Sequence, residues 1–147
     1  MPRTLLLACA LLVFDPRAIL AKGPTRRLEV SGGGRIAPLQ ITAAAALVNV
    51  WSEDFLDEFS PAPASDLPRY RVAFYVLPPH ESVERVMYVV YYVRDPESQA
   101  GFVYLPGRGE EGYRLNVTTI LRPEHDGRWH RRARRWHRAF LRELFFC

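Results

Sequence analysis

With 147 residues, of which 48% are hydrophobic and 24% charged, the chain is too apolar for a disordered segment and long enough for one core rather than several. The formal net charge of +4 is unevenly spread: Lys22 to Gly127 carries eleven basic and fourteen acidic residues, whereas Arg128 to Arg142 carries seven arginines and no acid. Only two cysteines occur, Cys9 near the start and Cys147 at the end, which excludes a disulfide-stapled scaffold.

Met1-Pro2-Arg3 gives a positive start, Thr4 to Phe14 is an unbroken apolar run of eleven, and Asp15 to Ala21 is a more polar stretch ending in a small residue. This three-part layout predicts a secretory signal peptide cleaved after Ala21, and so a periplasmic or secreted protein. Eleven apolar residues fall short of the about 20 that a membrane-spanning helix needs. Attachment of lipid at Cys9 is disfavoured, because only five residues of the run precede it. Lys22 to Cys147 then reads as a single globular domain with no membrane span.

Arg26 to Val30 alternates polar and apolar and predicts a first strand, turned by Gly32-Gly33-Gly34 into a second extended piece, Arg35 to Ile41. Pro38 lacks a ladder donor and confines that piece to an edge or bulge. Thr42 before Ala43 to Val48 predicts a capped helix, with Val50 and Trp51 on its apolar face. Ser52 and the acids of Glu53 to Phe59 predict a second helical turn, and Ser60 to Pro68 a proline-rich loop.

Tyr70 to Leu77 alternates as a half-covered strand, whereas Arg85 to Val93 is apolar on both faces and predicts a central one. Phe102 to Leu105 and Tyr113 to Thr119 follow as further strands, making a four-strand antiparallel meander. Pro123 to Gly127 is a turn. Trp136, Phe140 and Leu144 recur every four residues, so Ala133 to Leu144 predicts an amphipathic helix with arginines on its wet face. The expected fold is α+β: one antiparallel sheet of about five or six strands with one or two short helices packed on it, including a C-terminal amphipathic helix.

Gly107 to Gly112 spells G-x-G-x-x-G, but a dinucleotide site needs a helix after the glycines, and the sequence predicts a strand. No cofactor is expected, and the glycines read as a turn. Its polar residues Arg108, Glu110 and Glu111, with His125, Asp126 and Trp129 of the later turn, are the candidate ligand-binding set. A cleft joining the two loops would serve either binding or hydrolysis by Glu110, Glu111 or His125. His125, Asp126 and His130 have the chemistry of metal ligands, but the seven arginines would repel a cation, and no metal is expected. Exposed histidines around an Asp126-Gly127 turn are the plainer reading. Arg131, Arg132, Arg134, Arg135 and Arg138 are candidates for an anion-binding face. The tyrosines at 75, 88, 91, 92, 104 and 113, with Trp51 and Trp129, could form an aromatic platform, although cross-strand packing is the favoured explanation. Asn116-Val117-Thr118 has the form of a glycosylation sequon but falls within a predicted strand.

Lys22-Gly23-Pro24, Val50-Trp51, Tyr88-Val89-Val90-Tyr91-Tyr92, Tyr104-Leu105-Pro106-Gly107, Tyr113 to Val117 and His125 to Trp129 together resemble a group of small exported bacterial proteins to which no activity is attached. The resemblance implies export and a compact fold, and no active site. The expected function is a non-catalytic binding or interaction protein of the envelope or secreted fraction, with an unidentified envelope partner. An anionic polymer is a candidate partner, and nucleic acid is disfavoured. A small envelope hydrolase and an anion-binding protein acting through the arginine-rich end are the alternatives.

Overall fold

The computed structural model describes residues 23–47, 56–119, 123–132 and 134–146. The leader, the stretch 48–55 with Trp51, and Cys147 lie outside the described residues. Among the described residues there are seven strands: β1 (Thr25–Gly32), β2 (Leu39–Ile41), β3 (Leu56–Ser60), β4 (Arg69–Val76), β5 (Arg85–Arg94), β6 (Gly101–Tyr104) and β7 (Trp129–Arg132). They pair antiparallel throughout in one sheet, ordered β2-β1-β4-β5-β6-β7-β3. Two helices complete the fold, α1 (Tyr113–Thr119) and α2 (Arg134–Phe146). Among the described residues no helix is long and apolar enough to cross a membrane.

The doubly apolar strand is central as expected, for β5 is fourth of the seven. Period-two alternation sorts its residues: Tyr88, Val90 and Tyr92 join Leu28, Val30, Val72, Phe74 and Val103 in the core. The face they form is covered by α2, whose Trp136, Phe140 and Leu144 are all buried. Trp136 and Phe140 stack with centroids 4.4 Å apart, and Tyr92 meets Phe140 edge-on at 5.0 Å. The Trp136 indole donates to the Ala46 carbonyl at 2.8 Å, tying the chain's end to its first third. His137 fixes the rotation of α2. Its Nε2 lies 3.1 Å from the Gln99 carbonyl, which can only accept, so Nδ1 takes the proton of the Tyr92 hydroxyl at 2.9 Å. Gly101 makes room for this, since a Cβ there would lie 2.3 Å from Nδ1.

Four expectations need correcting. Tyr113 to Thr119 is a helix, not the fourth strand of the meander. The register that pairs Tyr91 with Tyr104 would set Pro106 opposite Val89, and proline has no N–H to offer. So β6 stops, and Asn116 of α1 fills the gap: its Oδ1 accepts from Val89 N–H at 2.8 Å and its Nδ2 donates to Val89 C=O at 2.7 Å. That side chain is 1% exposed with its amide engaged, so the sequon is sealed by burial in a helix rather than by a strand. On the other side of β6 the neighbour is β7, which lies between the turn read at Pro123 to Gly127 and the helix read from Ala133, in a stretch given no element.

Glu53 to Phe59, expected as a helical turn, contributes β3 instead, because pairing with β7 (Phe59 opposite His130, Ser60 opposite Trp129) outweighs local propensity. The alanine run forms a single 3₁₀ turn at Ala44–Ala46, preceded by extended Ala43 without a side-chain cap. The second extended piece shrinks to β2, an edge strand beginning directly after Pro38. The C-terminal helix stands as expected.

Candidate functional site

Opposite α2, one rung of the sheet runs from β1 to β3 through Ser31, Arg71, Tyr91, Tyr104, Trp129 and Ser60, all in direct register. Paired residues of adjacent strands share a face, so three aromatic rings stand side by side on β5, β6 and β7. Tyr91 and Tyr104 have centroids 6.5 Å apart, and Tyr104 and Trp129 5.0 Å apart, and all three are half-buried. Arg69, exposed at the start of β4, lays its guanidinium across the row, with its carbon 4.3 Å from the Tyr91 ring centre, 5.1 Å from Tyr104 and 5.4 Å from Trp129. Cation–π attraction holds a planar cation in this way. Among the described residues no carboxylate pairs with it.

The next rung on the same face reads Arg69, Val93, Phe102, Arg131, so cations border the row on one side. The loop 107–112 borders it on the other, since Gly112 packs against Val89. Between this loop and β4–β5 lies a groove of about 750 Å³, lined by Arg71, Arg108, Glu110, Glu111, Tyr113 and Arg114 among others. Glu111 meets Arg71 at 3.1 Å. Glu110 accepts from Gly107 N–H at 2.7 Å, inside a β-turn closed by its own N–H on the Gly107 carbonyl. Burial, together with hydrogen bonding to Glu110 and its charge, pushes the Tyr104 hydroxyl up to about 12. Burial and Glu111 also raise Tyr91, with Arg71 and Arg69 opposing them. A separate cavity of about 510 Å³ lies between Gly23–Arg26 and Leu77–Glu81, away from these residues.

The sequence-derived candidates divide. Arg108, Glu110 and Glu111 do share the groove, and Trp129 joins them through Tyr104. A helix, not a strand, follows the glycines of the G-x-G-x-x-G stretch, but the Glu110 carboxylate occupies Gly107 N–H, where a phosphate would be received. The cleft expected between the two loops is closed where Gly107 and Gly127 meet backbone to backbone. Gly127 N–H donates to the Leu105 carbonyl at 2.9 Å there.

His125 turns toward the other face. It stacks on Phe59 at 5.3 Å, lies 4.9 Å from His130, and has Nε2 3.4 Å from Glu124. His130 is fully buried on β7, not solvent-exposed, and it shares no helix with His137. Asp126 is half-buried; burial and then Glu124 raise its pKa, against a lowering by His125. Thus His125, Glu110 and Glu111 each engage different neighbours. Among the described residues no cluster of histidine, cysteine and carboxylate side chains could hold a metal ion. Of the arginines proposed for anions, Arg131 is exposed on the row's face, two residues beyond Trp129, and Arg138 is exposed on α2. The side chains of Arg132, Arg134 and Arg135 lie outside the described residues.

Sequence reasoning missed Arg69 and underrated Tyr91 and Tyr104. The available signal was the Arg69-Tyr70-Arg71 alternation entering β4, which places both cations on the face opposite Tyr70. No protein-family model, curated protein or solved structure matches the chain, so the functional reading rests on its own residues.

Proposed function

We propose that the protein is an exported, non-catalytic binding domain whose ligand lies along the Tyr91–Tyr104–Trp129 row and against the wall formed by the loop 107–112. The observation that carries this reading is the row itself: three half-exposed rings in register on three neighbouring strands, crossed by an arginine that has no carboxylate partner among the described residues. A ring needed only for packing gains most from complete burial, as Tyr88 and Tyr92 achieve on the other face. Rings left half-open in a row, beside a polar groove, have the composition of a ligand shelf: apolar area with a few placed polar groups. Export is supported by the Met1–Ala21 layout, and a periplasmic or secreted setting suits an envelope partner.

The test is an NMR titration of the purified protein with a panel of neutral, amino and acidic oligosaccharides and short peptides. Binding at the row moves the Trp129 indole N–H and the Tyr91 and Tyr104 ring signals, and Trp129→Ala weakens it at least tenfold. Shifts confined to the cavity near His80, or no shift with any member of the panel, would overturn the proposal.

A further inference from the structure

The two borders of the row differ in make-up, one carrying arginines and the other mixing Glu110 and Glu111 with Arg71, Arg108 and Arg114, and that difference selects a ligand. Along one border the sheet register sets Arg69 and Arg131 at the ends of a single rung. Along the other, the loop 107–112 presents Glu110 and Glu111, both exposed. Glu111 is engaged by Arg71, whereas Glu110 accepts from Gly107 N–H and from the Tyr104 hydroxyl and, as a carboxylate, still has acceptor capacity to spare. The guanidinium carbon of Arg69 stands over the rings, 4.3 to 5.4 Å from their three centres, while the residue stays exposed. Held this way, it is pre-organised for a carboxylate taken edge-on through two parallel hydrogen bonds.

We infer that the row is a subsite for a uronic-acid residue of an acidic polysaccharide, its carboxylate on Arg69 and its hydroxyl edge toward Glu110. In a hexuronate ring the carboxylate is carried on C5, and the vicinal hydroxyls on C2 and C3 lie at the opposite edge. One ring therefore offers an anion to one border and hydrogen-bond donors to the other, while its C–H face lies against the aromatic shelf. The strand spacing of about 4.8 Å is close to the rise of one pyranose residue, so the three rings accommodate roughly two or three consecutive sugars. A phosphodiester chain fits less well, because it carries few hydroxyl donors to offer Glu110.

This inference rests on the binding reading above, and the experiment separates the two. Trigalacturonate and its carboxyl-reduced, neutral counterpart are titrated in parallel into the protein, with the Trp129 indole signal and calorimetry as readouts and a thymidine hexanucleotide as the third probe. Trigalacturonate is expected to bind at least tenfold more tightly than the neutral trimer, a difference of about 1.4 kcal/mol. The difference should vanish in Arg69→Gln and shrink as salt is raised. Equal binding of the two trimers at Trp129 would overturn the acidic-sugar assignment and leave the binding reading standing. A Trp129 shift with the hexanucleotide alone would also overturn it, in favour of a nucleic-acid ligand. No shift with any probe here or in the wider panel would overturn both.

Discussion

The two faces of the sheet are built from the same kinds of residue and put them to opposite uses. On the α2 side, Tyr88 and Tyr92 are fully buried, and Tyr92 spends its hydroxyl on His137. On the other side, Tyr91 and Tyr104 stand one residue out of phase with the core and remain half-open, with Arg69 lying on them in place of a helix. Neighbouring residues of one strand thus become core or shelf according to which face receives the C-terminal helix. What a helix supplies on one side, through Trp136 and Phe140, is supplied on the other by a displaceable cation. Burying an aromatic ring completely contributes a few kcal/mol of stability, whereas a cation resting on an exposed ring contributes about 0.5–1 kcal/mol. The first face is therefore where stability resides, and the second is where ring area and a cation stay open to a ligand.

This contrast is broken most severely from the helix side. Phe140→Ala should destabilise the protein by about 3–5 kcal/mol, the usual cost of an emptied aromatic site, as measured by denaturant unfolding. Trp129→Ala, a comparable loss of ring area, should cost less than about 1 kcal/mol by the same measurement while weakening ligand binding. Equal costs would mean that the open face is a second core.

Asn116→Ala comes next, because it strips partners from Val89 N–H and C=O together, at about 1–3 kcal/mol for each group left buried and unsatisfied. Asn116→Asp sharpens the same point. A protonated carboxyl can replace the amide as both donor and acceptor, but a carboxylate faces the Val89 carbonyl without a proton. The folded state therefore holds that proton more tightly than the unfolded chain. Stability should be near wild type at about pH 4 and fall as pH rises toward 7, as followed by Tm.

How far the sequence was legible follows from the same contacts. β1 and β4 could be read from alternation, β5 and β6 from apolar runs between turns, and α2 from its four-residue spacing, because in each the local pattern and the tertiary partner agree. Tyr113 to Thr119 also alternates and contains valine and threonines, so it reads as a strand. What makes it a helix is remote: Pro106 ends β6 and leaves Val89 needing an amide. β3 was hidden for the converse reason, since its acids suit a helix start while its pairing partner lies far along the chain. The groove loop was legible as polar residues among glycines. The row was not, for alternation says which residues share a face and not which face stays open.

Smaller effects probe the open face alone. The Tyr104 hydroxyl keeps its proton to about 12 in the fold, against about 10 when unfolded. Its contribution to stability is complete below pH 10 and is lost between pH 10 and 12. Tyr104→Phe should flatten that part of the stability curve and remove the latest tyrosinate transition seen by ultraviolet absorbance. Asp126 gives the smallest change. Burial and Glu124 raise its pKa, so its ionised form opposes folding above its titration. Asp126→Asn should raise Tm slightly at pH 7 and leave it unchanged at pH 3, and a lower Tm at pH 7 would show that the carboxylate is needed in its turn.

The placement of β7 between β6 and β3 also imposes an order of events. β3 forms its ladder with β7 alone, and Ser60 finds Trp129 only about seventy residues further along the chain. A chain emerging from its N-terminus can join β4, β5 and β6 by short hairpin steps and set β1 beside β4 across a longer connection. It must then carry β3 unpaired until nearly the last residues arrive, followed at once by the helix that closes the core. Completion of this fold is therefore a C-terminal event, and truncation within the last twenty residues should leave the first strands made and the sheet unfinished at its far edge.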